Sequence, residues 1–175
     1  MINLMAHKAN CMHNSQVQVQ YEFRNDSLFV HFEVQTEKLH LNPDFTTVGF
    51  NNNGLWDYDV VEVFIQKKDD SNHYLEIQCS PLSQKFALLV KKPREVTQSI
   101  QSLCSKVSAS KNALGFSADF EILFNDIPGH GNELRGNFFS CLGPADAREY
   151  FALNINQDDQ ADFHRPDLFQ TLGQI

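Results

Sequence analysis

The chain has 175 residues and a formal charge of −8 at pH 7 with its histidines neutral. That length holds one full hydrophobic core and is too short for two comfortable domains, so we expect a single domain over residues 1–175, with its core at about 16–172. The ordinary apolar fraction marks a globular chain, and the acidic balance argues against a phosphate backbone or an anionic membrane as main partner.

The N-terminus, Met1-Ile-Asn-Leu-Met-Ala-His-Lys, lacks the basic-then-apolar layout of a secretory signal. A cytoplasmic location is the expectation, with secretion by another route left open. No window approaches the roughly 18 apolar residues that a membrane helix needs.

A period of two then dominates. In Gln16–Phe23, the residues Val17, Val19, Tyr21 and Phe23 share one face. In Leu28–Val34, Leu28, Val30, Phe32 and Val34 share one face. Arg24-Asn-Asp-Ser27 between them has turn composition. Folding on that turn sets Phe23 against Leu28, Tyr21 against Val30 and Val19 against Phe32, so the two apolar faces coincide.

Asn51-Asn-Asn-Gly54 predicts a loop that presents the only tryptophan, Trp56. A second hairpin follows, with arms Val60–Gln66 and Tyr74–Ser80. Val61, Val63 and Ile65 match Leu75, Ile77 and Cys79. The other face carries Glu62, Phe64, Gln66, Tyr74, Glu76 and Gln78. If Gln66 pairs with Tyr74, Glu62 lies across from Gln78 and diagonal to Glu76.

Further strands are expected at Lys85–Val90, Phe116–Phe124, Gly136–Leu142 and Glu149–Asn154. Arg94–Lys111 reads either as a short helix or as a strand over Ile100–Val107. The sum is an all-β chain, an antiparallel β-sandwich of jelly-roll type with little helix.

The four cysteines, Cys11, Cys79, Cys104 and Cys141, lack zinc or dithiol spacing and read as free thiols, with Cys79 in the core. No histidine spacing indicates a transition metal. Asp69, Asp70 and Asn72 sit in a turn that reads as solvated rather than as a calcium loop. No phosphate-binding glycine loop or serine-nucleophile elbow is present.

Three blocks stand out. Glu62 interrupts an apolar run six residues after Trp56. Burying an unpaired carboxylate is costly, so it either faces water or has a polar partner. Glu62, Glu76 and Gln78 read as a solvated sheet face or as acceptors and an amide for ligand hydroxyls. Asp162-Phe-His-Arg-Pro-Asp-Leu-Phe169 reads as a terminal strand, with Arg165 paired to an acid and Phe163 and Phe169 on the core. Alternatively, Phe163, His164 and Arg165 complete a site opposite Trp56.

Leu55-Trp-Asp-Tyr-Asp-Val-Val-Glu-Val-Phe64, Tyr74-Leu-Glu-Ile-Gln-Cys-Ser-Pro81 and the Asp162–Phe169 run together resemble the DOMON-like superfamily. Within it they are most similar to the family 9 carbohydrate-binding modules and their uncharacterised bacterial relatives. The resemblance covers roughly Gln16 to Leu172. It implies a sandwich with a ligand site on one concave face, where Trp56 and Glu62 match binding positions. The family's second tryptophan has no counterpart, and Phe163 or another aromatic near the C-terminus is the expected substitute. The resemblance is compatible with bound calcium. Haem ligation is not expected, because Met1, Met5 and Met12 all lie near the N-terminus.

The leading expectation is a non-catalytic domain that binds a carbohydrate or another polyhydroxylated small molecule, not nucleic acid or membrane, and needs no cofactor. Trp56 would stack. Glu62 and Glu76 would accept hydroxyl protons, and Gln78 and Arg165 would donate. The rivals are an enzyme using Glu62 and Glu76 as acid and base, and a protein-interaction module that has lost the ancestral site.

Overall fold

The computed structural model describes residues 1–8, 15–68 and 73–175. Cys11, Met12 and the turn of Asp69, Asp70 and Asn72 lie outside the described residues. In chain order the strands are β1 (Ile2–Asn3), β2 (Met5–Ala6), β3 (Gln16–Phe23), β4 (Ser27–Gln35), β5 (Val60–Lys67), β6 (Tyr74–Cys79) and β7 (Lys85–Lys92). Then come β8 (Val96–Ser99), β9 (Lys106–Asn112), β10 (Gly115–Leu123), β11 (Glu133–Leu142), β12 (Glu149–Ala152) and β13 (Gln170–Gln174). They form two antiparallel sheets. The five-stranded sheet runs β1-β3-β4-β10-β9, and the eight-stranded sheet runs β2-β12-β11-β5-β6-β7-β8, with β13 beside β11. Among the described residues no helix is long and apolar enough to cross a membrane.

The registers follow the side-chain alternation. Phe23 faces Leu28, Tyr21 faces Val30 and Val19 faces Phe32. Val61 faces Cys79, Val63 faces Ile77 and Glu62 faces Gln78. A slip by one residue would turn each apolar set outward, so burial locks both hairpins. The segment read as helix or strand contains no helix, and the strand expected over Ile100–Val107 is corrected: 100–105 is irregular and separates β8 from β9.

The core lies between the sheets. Leu28, Val30, Phe32 and Val34 of β4 and Phe116, Phe120 and Ile122 of β10 meet Val61, Val63, Ile65, Leu75, Ile77 and Phe138 across the sandwich. Cys79 belongs to this core, and Cys79, Cys104 and Cys141 are free thiols.

The eight-stranded sheet is buried on its outer face as well. Phe64, Tyr74, Val90, Phe139, Ala152, Ile155 and Phe169 form a second apolar cluster there, with Phe163 and Leu88 packed against it. The reading of this face as solvated is therefore corrected. Glu62, Gln66, Glu76 and Gln78 are each no more than 3 % exposed. The cover comes from the irregular segment that precedes β13. Over Asp162–Phe169 the chain is not a strand but a loop ending in a 3-10 turn at Pro166–Leu168.

Candidate functional site

A cavity of about 460 Å³ opens on that outer face. Its polar floor comes from β5 and β6. Glu62, Glu76 and Gln78 are each 2 % exposed and all line it. Alternation puts them on one face, and the hairpin register puts Glu62 beside Gln78. Gln78 Nε2 donates to Glu76 Oε1 at 2.7 Å. Glu76 Oε2 and Gln78 Oε1 are buried acceptors with no hydrogen-bond partner.

The electrostatics follow from that burial. Desolvation pushes Glu62 well above the usual carboxylate range; the neighbouring Glu76 raises it further, and Arg148 opposes both. Desolvation raises Glu76 to about 7, against the hydrogen bond from Gln78. Like charges this close resist joint ionisation, so near neutral pH the pair retains a proton.

Aromatic side chains form the walls. Phe163 lies flat on Phe139, with centroids 4.2 Å apart and planes 22° apart. Tyr150 meets Phe163 edge-on at 5.9 Å. Phe64 contributes from β5. Trp56 stands at the mouth, 39 % exposed, and tilts against Phe86 at 5.4 Å. It sits in a 3-10 turn, Leu55–Asp57, whose buried Leu55 roots the turn in the sheet. Gly54 precedes the turn at φ 86°, a left-handed conformation that any side chain would strain.

Arg148 fixes that turn from across the cavity. One terminal nitrogen donates to the carbonyls of Asp57 at 3.2 Å and Gly143 at 2.5 Å. The other donates to the carbonyls of Trp56 and Tyr58, the latter at 2.7 Å. Asp59, fully buried behind the turn, accepts from the backbone N–H of His40 at 2.8 Å and of Gly143 at 2.7 Å. Burial raises the Asp59 carboxyl, and these two N–H groups pull it back. Asp59→Ala strips a charged partner from two backbone donors. Chemical denaturation is expected to show a loss of about 2–3 kcal/mol; a change below about 0.5 kcal/mol would contradict the role given to it.

His164 closes the far side. Burial pushes the Tyr74 phenol upward and the His164 imidazole downward. The phenol therefore keeps its proton, and Tyr74 Oη and His164 Nδ1 are joined by a hydrogen bond of 2.6 Å. The loop is held by Asn156, whose amide donates to the Gln160 carbonyl and whose Oδ1 accepts from the Asp162 N–H. Asp162 in turn accepts from the His164 N–H at 3.1 Å and pairs with Arg94 at 2.6 Å.

Of the residues singled out from sequence, the cavity gathers Trp56, Glu62, Glu76, Gln78, Phe163 and His164. Arg165 is not among its lining residues. Its guanidinium is taken by Asp167 at 2.8 Å and Asp158 at 3.2 Å on the protein surface. Sequence reading missed Arg148 and Tyr150. Both follow the Gly143-Pro144 turn, and neither belongs to a recognisable spacing. Among the described residues no group of three or more His, Cys, Asp or Glu could hold a metal ion.

No family model matches the chain. It is 31 % identical over 122 residues to the UPF0462 protein C4orf33 homolog of Mus musculus, an overlap covering 66 % of this chain and 61 % of that one. It is 30 % identical over 127 residues to UPF0462 protein C4orf33 of Homo sapiens, covering 69 % and 61 %. The chain thus spans about three fifths of the length of the curated relatives it matches. Among solved structures, a Bacteroides uniformis protein provisionally named as carbohydrate-binding superposes with a TM-score of 0.79 at 16 % identity, covering 98 % of this chain and 84 % of the other. A family 9 carbohydrate-binding module from Caldicellulosiruptor kristjanssonii, in complex with glucose, gives 0.64 at 14 % identity, covering 97 % and 83 %. In complex with cellotriose it gives 0.65 at 15 %, covering 98 % and 82 %. At these identities the likeness is one of fold, and the chain has the antiparallel β-sandwich fold seen in family 9 carbohydrate-binding modules.

Proposed function

We propose that this chain is a non-catalytic binding domain that takes a carbohydrate or similar polyhydroxylated small molecule in the cavity beside Trp56. One observation carries the reading. Three buried polar side chains, Glu62, Glu76 and Gln78, line an aromatic-walled cavity, and two of their acceptor atoms lack partners. Such atoms destabilise a fold unless something satisfies them. Hydroxyl groups of a ligand would do so, while its ring C–H faces lie on Trp56 or Phe163. The fold neighbours named for carbohydrate binding support the same reading.

Trp56 is the only tryptophan, so its fluorescence reports the cavity mouth. Titration with mono- and oligosaccharides is expected to change that emission. Calorimetry on Trp56→Ala should show binding weakened about tenfold to a hundredfold, the roughly 1.5–3 kcal/mol of one large apolar contact. A flat response to every sugar, by fluorescence and by calorimetry, would remove the reading.

A second reading draws on Glu76, whose carboxyl at about 7 suits a general acid or base. It requires turnover of an aryl glycoside that disappears in both Glu62→Gln and Glu76→Gln. Saturable binding without turnover would leave the binding domain alone.

A further inference from the structure

Two buried carboxyls, Glu62 and Glu76, stand together on the floor of the cavity. Glu76 Oε2 and Gln78 Oε1 are buried without hydrogen-bond partners, and His164 Nδ1 stands 3.9 Å from Glu76 Oε2. Glu62 is 2 % exposed and lines the same space. The cation within reach is already committed, since both terminal nitrogens of Arg148 point at four backbone carbonyls. The Nδ1 of His164 is occupied by Tyr74. The titratable and charged groups lining the space are Asp57, Glu62, Glu76, Cys141, Arg148, Tyr150 and His164. Burial holds Cys141 and Tyr150 in their neutral forms and favours neutral His164. Three carboxyls therefore face one cation whose terminal donors are spent.

Aromatic rings surround this acidic floor. Trp56, Phe64, Tyr150 and Phe163 all contribute to the wall. The faces of such rings attract cations, and more strongly where water is excluded. A neutral polyol offers these carboxyls hydrogen bonds but no countercharge. An ammonium group brings three donors, no acceptor and a positive charge. The chain's net charge of −8 acts in the same direction at long range.

We infer that the ligand of this cavity carries a protonated amine, seated against Glu62 and Glu76 between the aromatic walls. The inference rests on the reading that the cavity takes a polyhydroxylated ring, and it narrows that ring to an amino sugar. The raised carboxyls of Glu62 and Glu76 agree with it, because an ammonium can take the place of a proton bound there.

The test is calorimetry on the full chain at about pH 6.5, where an amine of ordinary basicity is charged. The ligands are glucosamine, glucose, N-acetylglucosamine and cyclohexylamine. Glucosamine is expected to bind at least about tenfold tighter than glucose or N-acetylglucosamine, with a preference that shrinks as salt is added. Glu62→Gln and Glu76→Gln should bring glucosamine and glucose within about threefold of each other. The wild-type comparison stands even if a variant folds poorly. Glucose binding as tightly as glucosamine would overturn the amine and keep the sugar site. Cyclohexylamine binding with no sugar bound would overturn the sugar site and keep the amine. Silence from all four ligands would overturn both.

Discussion

The Glu62→Gln/Glu76→Gln double variant is expected to gain stability on the wild type as pH rises from 5 to 8, by at least about 3 kcal/mol between those limits. Burial raises both carboxyls above their unfolded values. The folded protein therefore binds their protons more tightly than the unfolded chain does. Their contribution is fully present below about pH 4.5, and it is lost as pH rises through the folded value, about 7 for Glu76. A rise from 4.5 to about 7 corresponds to roughly 3 kcal/mol for Glu76, with Glu62 adding in the same direction. His164 works the opposite way. Burial lowers it, so its contribution is lost as pH falls. Its contribution, with those of the surface carboxylates Glu133 and Asp167, is common to both proteins and largely cancels in the difference. Urea denaturation of both proteins at the two pH values measures the quantity. An equal gap between them at pH 5 and pH 8 would mean that these carboxyls titrate as if solvated. The expected result would also show the site as a net burden on the fold, relieved when its charges are removed.

What could be read from the sequence, and what could not, divides along physical lines. The hairpin of Val17–Val34 and the pairing of Glu62 with Gln78 were legible, because alternation and a polar turn leave one register that hides every apolar side chain. The same alternation misrepresents the outer face of β5 and β6. Glu62, Gln66, Glu76 and Gln78 look solvated, since strand periodicity states only which residues share a face. What covers that face is a loop about 90 residues further on, centred on Phe163 and His164. A loop's course is set by contacts such as those of Asn156 and Asp162, and these have no period. Arg148 was invisible for a related reason. Its partners are main-chain carbonyls, which every residue carries. Arg165 looked like a free donor beside Phe163 and His164. The nearby acids Asp167 and Asp158 capture it instead, and Asp167 is only two residues away.

Phe138→Ala should be the most damaging single truncation, at about 3–5 kcal/mol. Successive side chains of β11 point to opposite faces, so Phe138 and Phe139 serve two different clusters. Phe138 is fully buried between the sheets. Its ring meets Phe32 edge-on at 6.1 Å and Tyr21 at 5.5 Å, tying the eight-stranded sheet to β4 and β3. Neither sheet can close the gap that alanine would leave, because both are held by strand pairing on each side. Phe139 points outward and supports the cavity wall, stacked under Phe163 at 4.2 Å and tilted against Phe64 at 4.7 Å. The two truncations should therefore differ in a way that stability alone does not show. Measured under conditions where the protein remains folded, Phe138→Ala should leave ligand affinity within about twofold of wild type. Phe139→Ala should weaken it about tenfold or more as Phe163 loses its backing. Equal losses of affinity in both variants would mean that the cavity depends on the core as a whole, and that its walls are not an independent layer on the sheet.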